Sequence, residues 1–195
     1  MSTQAAKTGE GLQPSAKENL ETESLSMRFL RRNDGPRIFS HYDQQLFERW
    51  AVEEQTMSEV ESGIGNSRDM IAKGKTWLDL AITPKNQSNI VGRCGIFRNR
   101  EKDNGEYRID LWFDAPGNEV KYAVETIQRI RLWAREYRKE HPNTIKYLAL
   151  PITEGSIGEK VLSRIGKTSD SSMLGVEIVG EGENEKEVKM RYISL

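Results

Sequence analysis

Hydrophobic positions change their period several times along the chain, and each change marks an element. Leu25, Met27 and Phe29 alternate with polar residues, which predicts a strand at about Ser24–Arg32. From Pro36 to Lys73 the spacing turns helical. Ile38, Tyr42, Leu46, Phe47 and Trp50 recur at helical steps, and after a break near Gly63 and Gly65 is allowed for, a second short helix is predicted over about Ser58–Ile71. Three strand-like segments follow. Trp77, Leu78, Leu80 and Ile82 precede Pro84, and Ile90, Val91, Cys94, Ile96 and Phe97 follow the polar Lys85–Asn89 turn. Asp103-Asn104-Gly105 is a turn signal leading into Glu106–Asp114, so the three segments read as an antiparallel meander.

The clearest periodicity comes next. Val120, Ala123, Ile127, Ile130, Ala134 and Tyr137 repeat at three- and four-residue steps, with Asn118 as N-cap, Glu119 in the first turn and His141-Pro142-Asn143 as the stop. Ile145, Tyr147, Leu148, Leu150 and Ile152 form another strand. Gly155–Ile165 reads as a short helix closed by Gly166, and Met173–Val179 and Val188–Ile193 as a hairpin across Gly180–Glu187. The pattern is that of an α/β protein with a mixed sheet: about seven strands, a central helix after the fourth, and a C-terminal hairpin. Alternation within Glu106–Asp114 assigns Tyr107, Ile109, Leu111 and Phe113 to the core and turns Glu106, Arg108, Asp110 and Trp112 to the opposite face.

Composition sets the limits of the domain. Met1 to about Thr22 has almost no large apolar residues and is expected to be a disordered tail, leaving 23–195 as a single domain. Thirty acidic against 29 basic residues give a net charge of −1, which signals neither nucleic acid nor an anionic membrane as partner. Arg129, Arg131, Arg135, Arg138 and Lys139 are interleaved with acids and read as a solvated helix face. Cys94 is the only cysteine and the two histidines, His41 and His141, lie far apart, so no metal site is expected. Cys94 itself reads as a small buried residue. With neither a signal segment nor a long apolar run, an intracellular location is expected, in cytoplasm or nucleus.

Three stretches carry a family resemblance. Ile90-Val91-Gly92-Arg93-Cys94-Gly95-Ile96-Phe97 is similar to the "I-G-x-x-G-h" third strand of the GNAT acetyltransferase superfamily. Tyr122-Ala123-Val124-Glu125-Thr126-Ile127 resembles its "Y-A-T-E-A-h" run, and Val161-Leu162-Ser163-Arg164-Ile165-Gly166 its "V-L-E-K-h-G" helix end. Their order over residues 24–195 resembles the branch containing ribosomal-protein and other N-terminal acetyltransferases.

The resemblance implies acetyl transfer from acetyl-CoA to an amine, in a small molecule or a protein. The pyrophosphate would be held at the start of the central helix, over Asn118, Glu119, Val120, Lys121, Tyr122 and Ala123. Glu106 or Asp110 would be the base that takes the amine proton, and Tyr147 would donate one to the leaving thiolate. The alternatives are a solvated ion-paired strand face and a core tyrosine. The family motif is also eroded here. Asn118 stands at its Gln/Arg position, Glu119 and Lys121 stand where it has glycines, and Gly155, Gly158 and Lys167 replace its Asn, Ser and Phe. Two functions therefore stay open: an acetyltransferase, or a catalytically silent protein of this fold that binds a partner.

Overall fold

The computed structural model describes residues 20–39, 56, 58–62, 64, 77–98, 105–140, 145–152, 156–165, 172–179 and 186–194. Its strands are β1 (Leu20–Glu21), β2 (Leu25–Phe29), β3 (Trp77–Pro84), β4 (Gly92–Arg98), β5 (Glu106–Phe113), β6 (Tyr147–Ile152), β7 (Ser172–Val179) and β8 (Lys186–Ser194). The helices are α1 (Gly35–Phe39), α2 (Glu119–Glu140) and α3 (Ile157–Ile165), with a 3₁₀ turn at Arg32–Asp34. One sheet holds all eight strands in the order β1-β2-β3-β4-β5-β6-β8-β7. Every neighbouring pair is antiparallel except β5 with β6, which are parallel and joined through α2. Apart from the two-residue β1 there are seven strands, and α2 follows the fourth of them.

α2 buries Ala123, Ile127, Ile130, Trp133, Ala134 and Tyr137 against Tyr107, Ile109 and Phe113 of β5 and the matching face of β2, β3 and β4. Each large side chain so covered contributes about 1.5–3 kcal/mol. A smaller cluster of Leu30, Ile38, Val60, Ile64, Ala81 and Ile90 covers part of the other face. Cys94 lies in the main core, and burial pushes its thiol well above its ordinary range.

Most predicted elements are found within a few residues of the expected ends. The first strand stops at Phe29 because the chain turns at Asp34, which accepts from both Arg28 guanidinium nitrogens (2.7 and 2.9 Å) and from the Arg31 N–H (2.7 Å). Residues 58–62 are helical, opened by Thr56 and Glu59, whose side chains exchange bonds with each other's backbone N–H. Apart from α1 and residues 56, 58–62 and 64, the predicted 36–73 helical region, with Tyr42, Leu46, Phe47 and Trp50, lies outside the described residues, as do residues 1–19, Gly155 and Lys167. α3 begins at Ile157 rather than Gly155.

Strand β1 lies upstream of residue 23, where the domain was expected to begin: Leu20 is 1% exposed and pairs with Met27. Glu125 on α2 holds the β1–β2 turn in place. It accepts from the Thr22 hydroxyl (2.6 Å), the Ser24 hydroxyl (2.7 Å) and the Ser24 N–H (3.3 Å).

Candidate active site

The parallel pairing of β5 with β6 is short. Glu106, Tyr107 and Arg108 face Tyr147, Leu148 and Ala149, and the two strands then separate. β5 runs on for five residues to Phe113, paired only with β4, while β6 runs on for three to Ile152, paired only with β8. The result is a wedge-shaped gap in the sheet, across which the two strands no longer pair with each other. β5 leads directly into the start of α2, so the helix N-terminus stands at the mouth of this gap.

That start is a tight turn. Gly117 has φ +79°, with nothing within 4 Å of where a Cβ would lie, and the Asn118 N–H donates to Ala115 O (2.7 Å). Asn118 is the N-cap as expected, its carbonyl accepting from the Tyr122 N–H (2.9 Å). The first-turn N–H groups consequently have no intrahelical acceptor, which suits an anion. Side chains complicate the picture. Glu119 places a half-buried carboxylate in this turn. Lys121, 59% exposed, reaches toward Glu125 (4.0 Å) along the helix. Tyr122 packs its ring 6.4 Å from that of Phe113, and Ala123 is in the core. The turn's backbone thus fits a phosphate, and the Glu119 side chain is the feature that opposes one.

Two glycines of the sequence motifs have local causes. A Cβ on Gly92 would lie 2.7 Å from Trp112 O and 2.6 Å from the Phe113 ring, so glycine permits β4 to lie close beside β5. A Cβ on Gly158 would collide with Pro151 O, near the end of β6. Glycine at 158, a departure from the family pattern, is here a requirement of packing.

The candidate side chains on β5 and β6 separate by position. Glu106 is buried (3% exposed) and stands opposite Tyr147 in the closed part of the ladder. Asp110 lies two residues past the last pair, where the strands have begun to part. The structure therefore does not bring Tyr147 to the open gap alongside Asp110; it pairs Tyr147 with Glu106. Asp110 is 14% exposed, and burial raises its carboxyl to about 7. The guanidiniums of Arg108 (3.4 Å) and Arg93 work against that rise, and the carboxylate of Asp79 adds to it. One carboxylate oxygen of Asp110 is buried without a hydrogen bond.

Arg93 and Asp79 were not singled out from the sequence. Asp79 (3% exposed) accepts from Arg93 at 2.8 and 2.7 Å, a two-pronged pair between β3 and β4. The signal was present: Asp79 is a lone charge in the run Leu78–Ile82, and a charge buried that way needs a partner. Among the described residues no group of His, Cys, Asp and Glu suited to a metal ion occurs, and no helix is long and apolar enough to cross a membrane.

No protein-family model matches the chain, and no curated protein matches it in sequence. Solved structures do match its fold. A proposed ribosomal-protein-serine acetyltransferase from Vibrio cholerae superposes with a TM-score of 0.66 at 14% identity, over 92% of this chain and 99% of that one. The microcin C7 self-immunity acetyltransferase MccE, solved with acetyl-CoA and AMP, gives 0.64 at 15%, over 89% and 94%. A GNAT-family acetyltransferase from Bacillus anthracis gives 0.61 at 14%, over 90% and 96%. At these identities the shared property is the fold, and it is the GNAT acetyltransferase fold.

Proposed function

We propose that this GNAT-fold chain transfers an acetyl group from acetyl-CoA to an amine, with Asp110 as the base. The observation that carries the proposal is the wedge between β5 and β6, which opens onto the start of α2 and has Asp110 at its apex. Acetyl-CoA supplies an activated acyl group as its thioester. The first-turn N–H groups of α2 would hold its pyrophosphate, and the edges of β5 and β6 that face each other across the gap would hold the acyl arm. A carboxyl poised near neutrality accepts a proton from an ammonium donor at physiological pH. The freed amine then attacks the thioester carbonyl: a C–N bond forms, the C–S bond breaks, and the thiolate takes up the proton that the acylated nitrogen loses. The match to MccE, solved with acetyl-CoA, supports a common use of the fold. The acceptor is assigned only as an amine, on a protein or a small molecule.

Glu119 favours a second reading, in which the fold persists as a binding module whose coenzyme site has been lost. Titration with acetyl-CoA, followed by thermal shift and calorimetry, separates the two. Saturating ligand at about 100 times Kd should stabilise the chain by about 2.7 kcal/mol. Binding by the wild type together with transfer abolished in Asp110→Asn supports the enzyme. No binding by the wild type, with binding gained by Glu119→Gly/Lys121→Gly, refutes it in favour of the module.

A further inference from the structure

The face of the sheet turned away from α2 carries a row of charges crossing three strands. Asp79 on β3, Gly95 on β4 and Asp110 on β5 are successive partners in register. Two strand spacings, roughly 10 Å, thus separate the two carboxylates, and the residue between them has no side chain. Arg93 is two residues before Gly95, on the same face, and so is the diagonal neighbour of both aspartates. Its guanidinium is fixed by the two-pronged bond to Asp79, and Asp79 is almost fully buried. An arginine that only neutralised Asp79 would not need to stand beside a second carboxylate at the branch point of the sheet.

We infer that Arg93, held in place by Asp79, is a positioning residue for Asp110: its fixed charge keeps the Asp110 carboxylate available as a proton acceptor. This rests on the reading of Asp110 as the base. The charged and titratable groups around Asp110 are Asp79 on β3, Arg93 and the buried Cys94 thiol on β4, and Arg108 and Glu106 on β5. Tyr147 on β6 stands opposite Glu106, and Arg28 on β2 lies in the row of Arg93 but is engaged by Asp34. Of these, Arg108 and Arg93 favour the charged form of Asp110 and Asp79 opposes it. Asp79 therefore has two opposed effects, orienting Arg93 while diluting its charge.

The arrangement makes the two partners of one ion pair act in opposite directions. Arg93→Gln removes the cation and leaves Asp79 uncompensated, so Asp110 should take up its proton at higher pH. Asp79→Asn removes an anion and leaves the cation, so Asp110 should titrate at lower pH. The double variant should fall between them, and Arg93→Lys, which keeps the charge, should stay near the wild type. Shifts of about half a unit or more are expected for the single charge removals.

The measurement is the Asp110 carboxyl ¹³C chemical shift against pH in the full chain, alongside the acid limb of kcat/KM for acetyl transfer, with circular dichroism to verify folding. Opposite shifts in the two single variants support the inference. Shifts in the same direction, or none in either, overturn it and leave the pair as a brace between β3 and β4. Should Arg93→Gln fail to fold, the double variant compared with Asp79→Asn decides alone: titration at higher pH in the double variant supports the inference, and coincident titrations overturn it. Opposite carboxyl shifts in a chain that transfers no acetyl group would support the influence of Arg93 on Asp110 while refuting the proposed function, so the two can fail separately.

Discussion

Replacing Glu125 with alanine tests how the N-terminal edge of the sheet is held. In the native chain this carboxylate is 17% exposed and gathers two hydroxyls and one backbone N–H from the β1–β2 turn. Thr22 extends the chain of bonds by accepting from the Leu25 N–H (2.8 Å). Hydrogen bonds to a charged group contribute about 1.5–3 kcal/mol each in favourable settings. Here Thr22 and Ser24 are half-buried, so water replaces part of what is lost, and about 2–3 kcal/mol is the expected total. In a domain of this size that lowers Tm by about 4–12 °C. The pH dependence gives an independent check. Burial opposes the charge on Glu125, but the Thr22 and Ser24 donors outweigh it, and the carboxyl is held below its ordinary 4.5. The stabilisation is therefore fully present above that ordinary value and is lost as pH falls through the lowered one. Glu125→Gln should lose the corresponding slope of stability against pH. Urea unfolding of Glu125→Ala, Ser24→Ala and the double variant supplies the coupling energy. A loss below about 0.5 kcal/mol, or strict additivity of Ser24→Ala with Glu125→Ala, would refute the assignment of Glu125 as the clamp.

Two further substitutions probe packing. Gly158→Ala forces α3 away from the end of β6, because the obstruction is a backbone carbonyl that has no rotamer to adopt; a loss of about 1–3 kcal/mol by urea unfolding is expected. Leu20→Ala, in what composition alone describes as a tail, should cost about 2–5 kcal/mol in the same assay; a cost near zero would place β1 outside the cooperative unit.

The sequence carried the fold well where one face of an element is buried and the other is not. α2 and β5 show this, since burial of alternate or helical-face residues leaves a period that can be read directly. β1 was missed because two residues have no period, and Leu20 looks like a stray apolar residue until Met27 is placed opposite it. The site was less legible. Asp110 was named as a candidate because it shares a strand face with Glu106, and proposing it over Glu106 rests on where β5 and β6 part. Nothing local to either strand encodes that point. Asp79 and Arg93 are fourteen residues apart, and their pairing depends on the β3–β4 register. Gly92 was read as part of a family strand pattern and Gly158 as a departure from the family at a cofactor-facing position, and in the structure both also answer to close approach of neighbouring backbone.

The three-residue pairing of β5 with β6 has a mechanical meaning as well. On one side lie five antiparallel strands and on the other three, so the sheet consists of two well-knit slabs joined along a short seam with α2 laid over one face. A wedge driven between slabs acts with leverage on such a seam, since the free lengths of β5 and β6 are the lever arms. An occupant bound in the gap, as proposed for acetyl-CoA, would touch both slabs at once and act as a rivet across the seam.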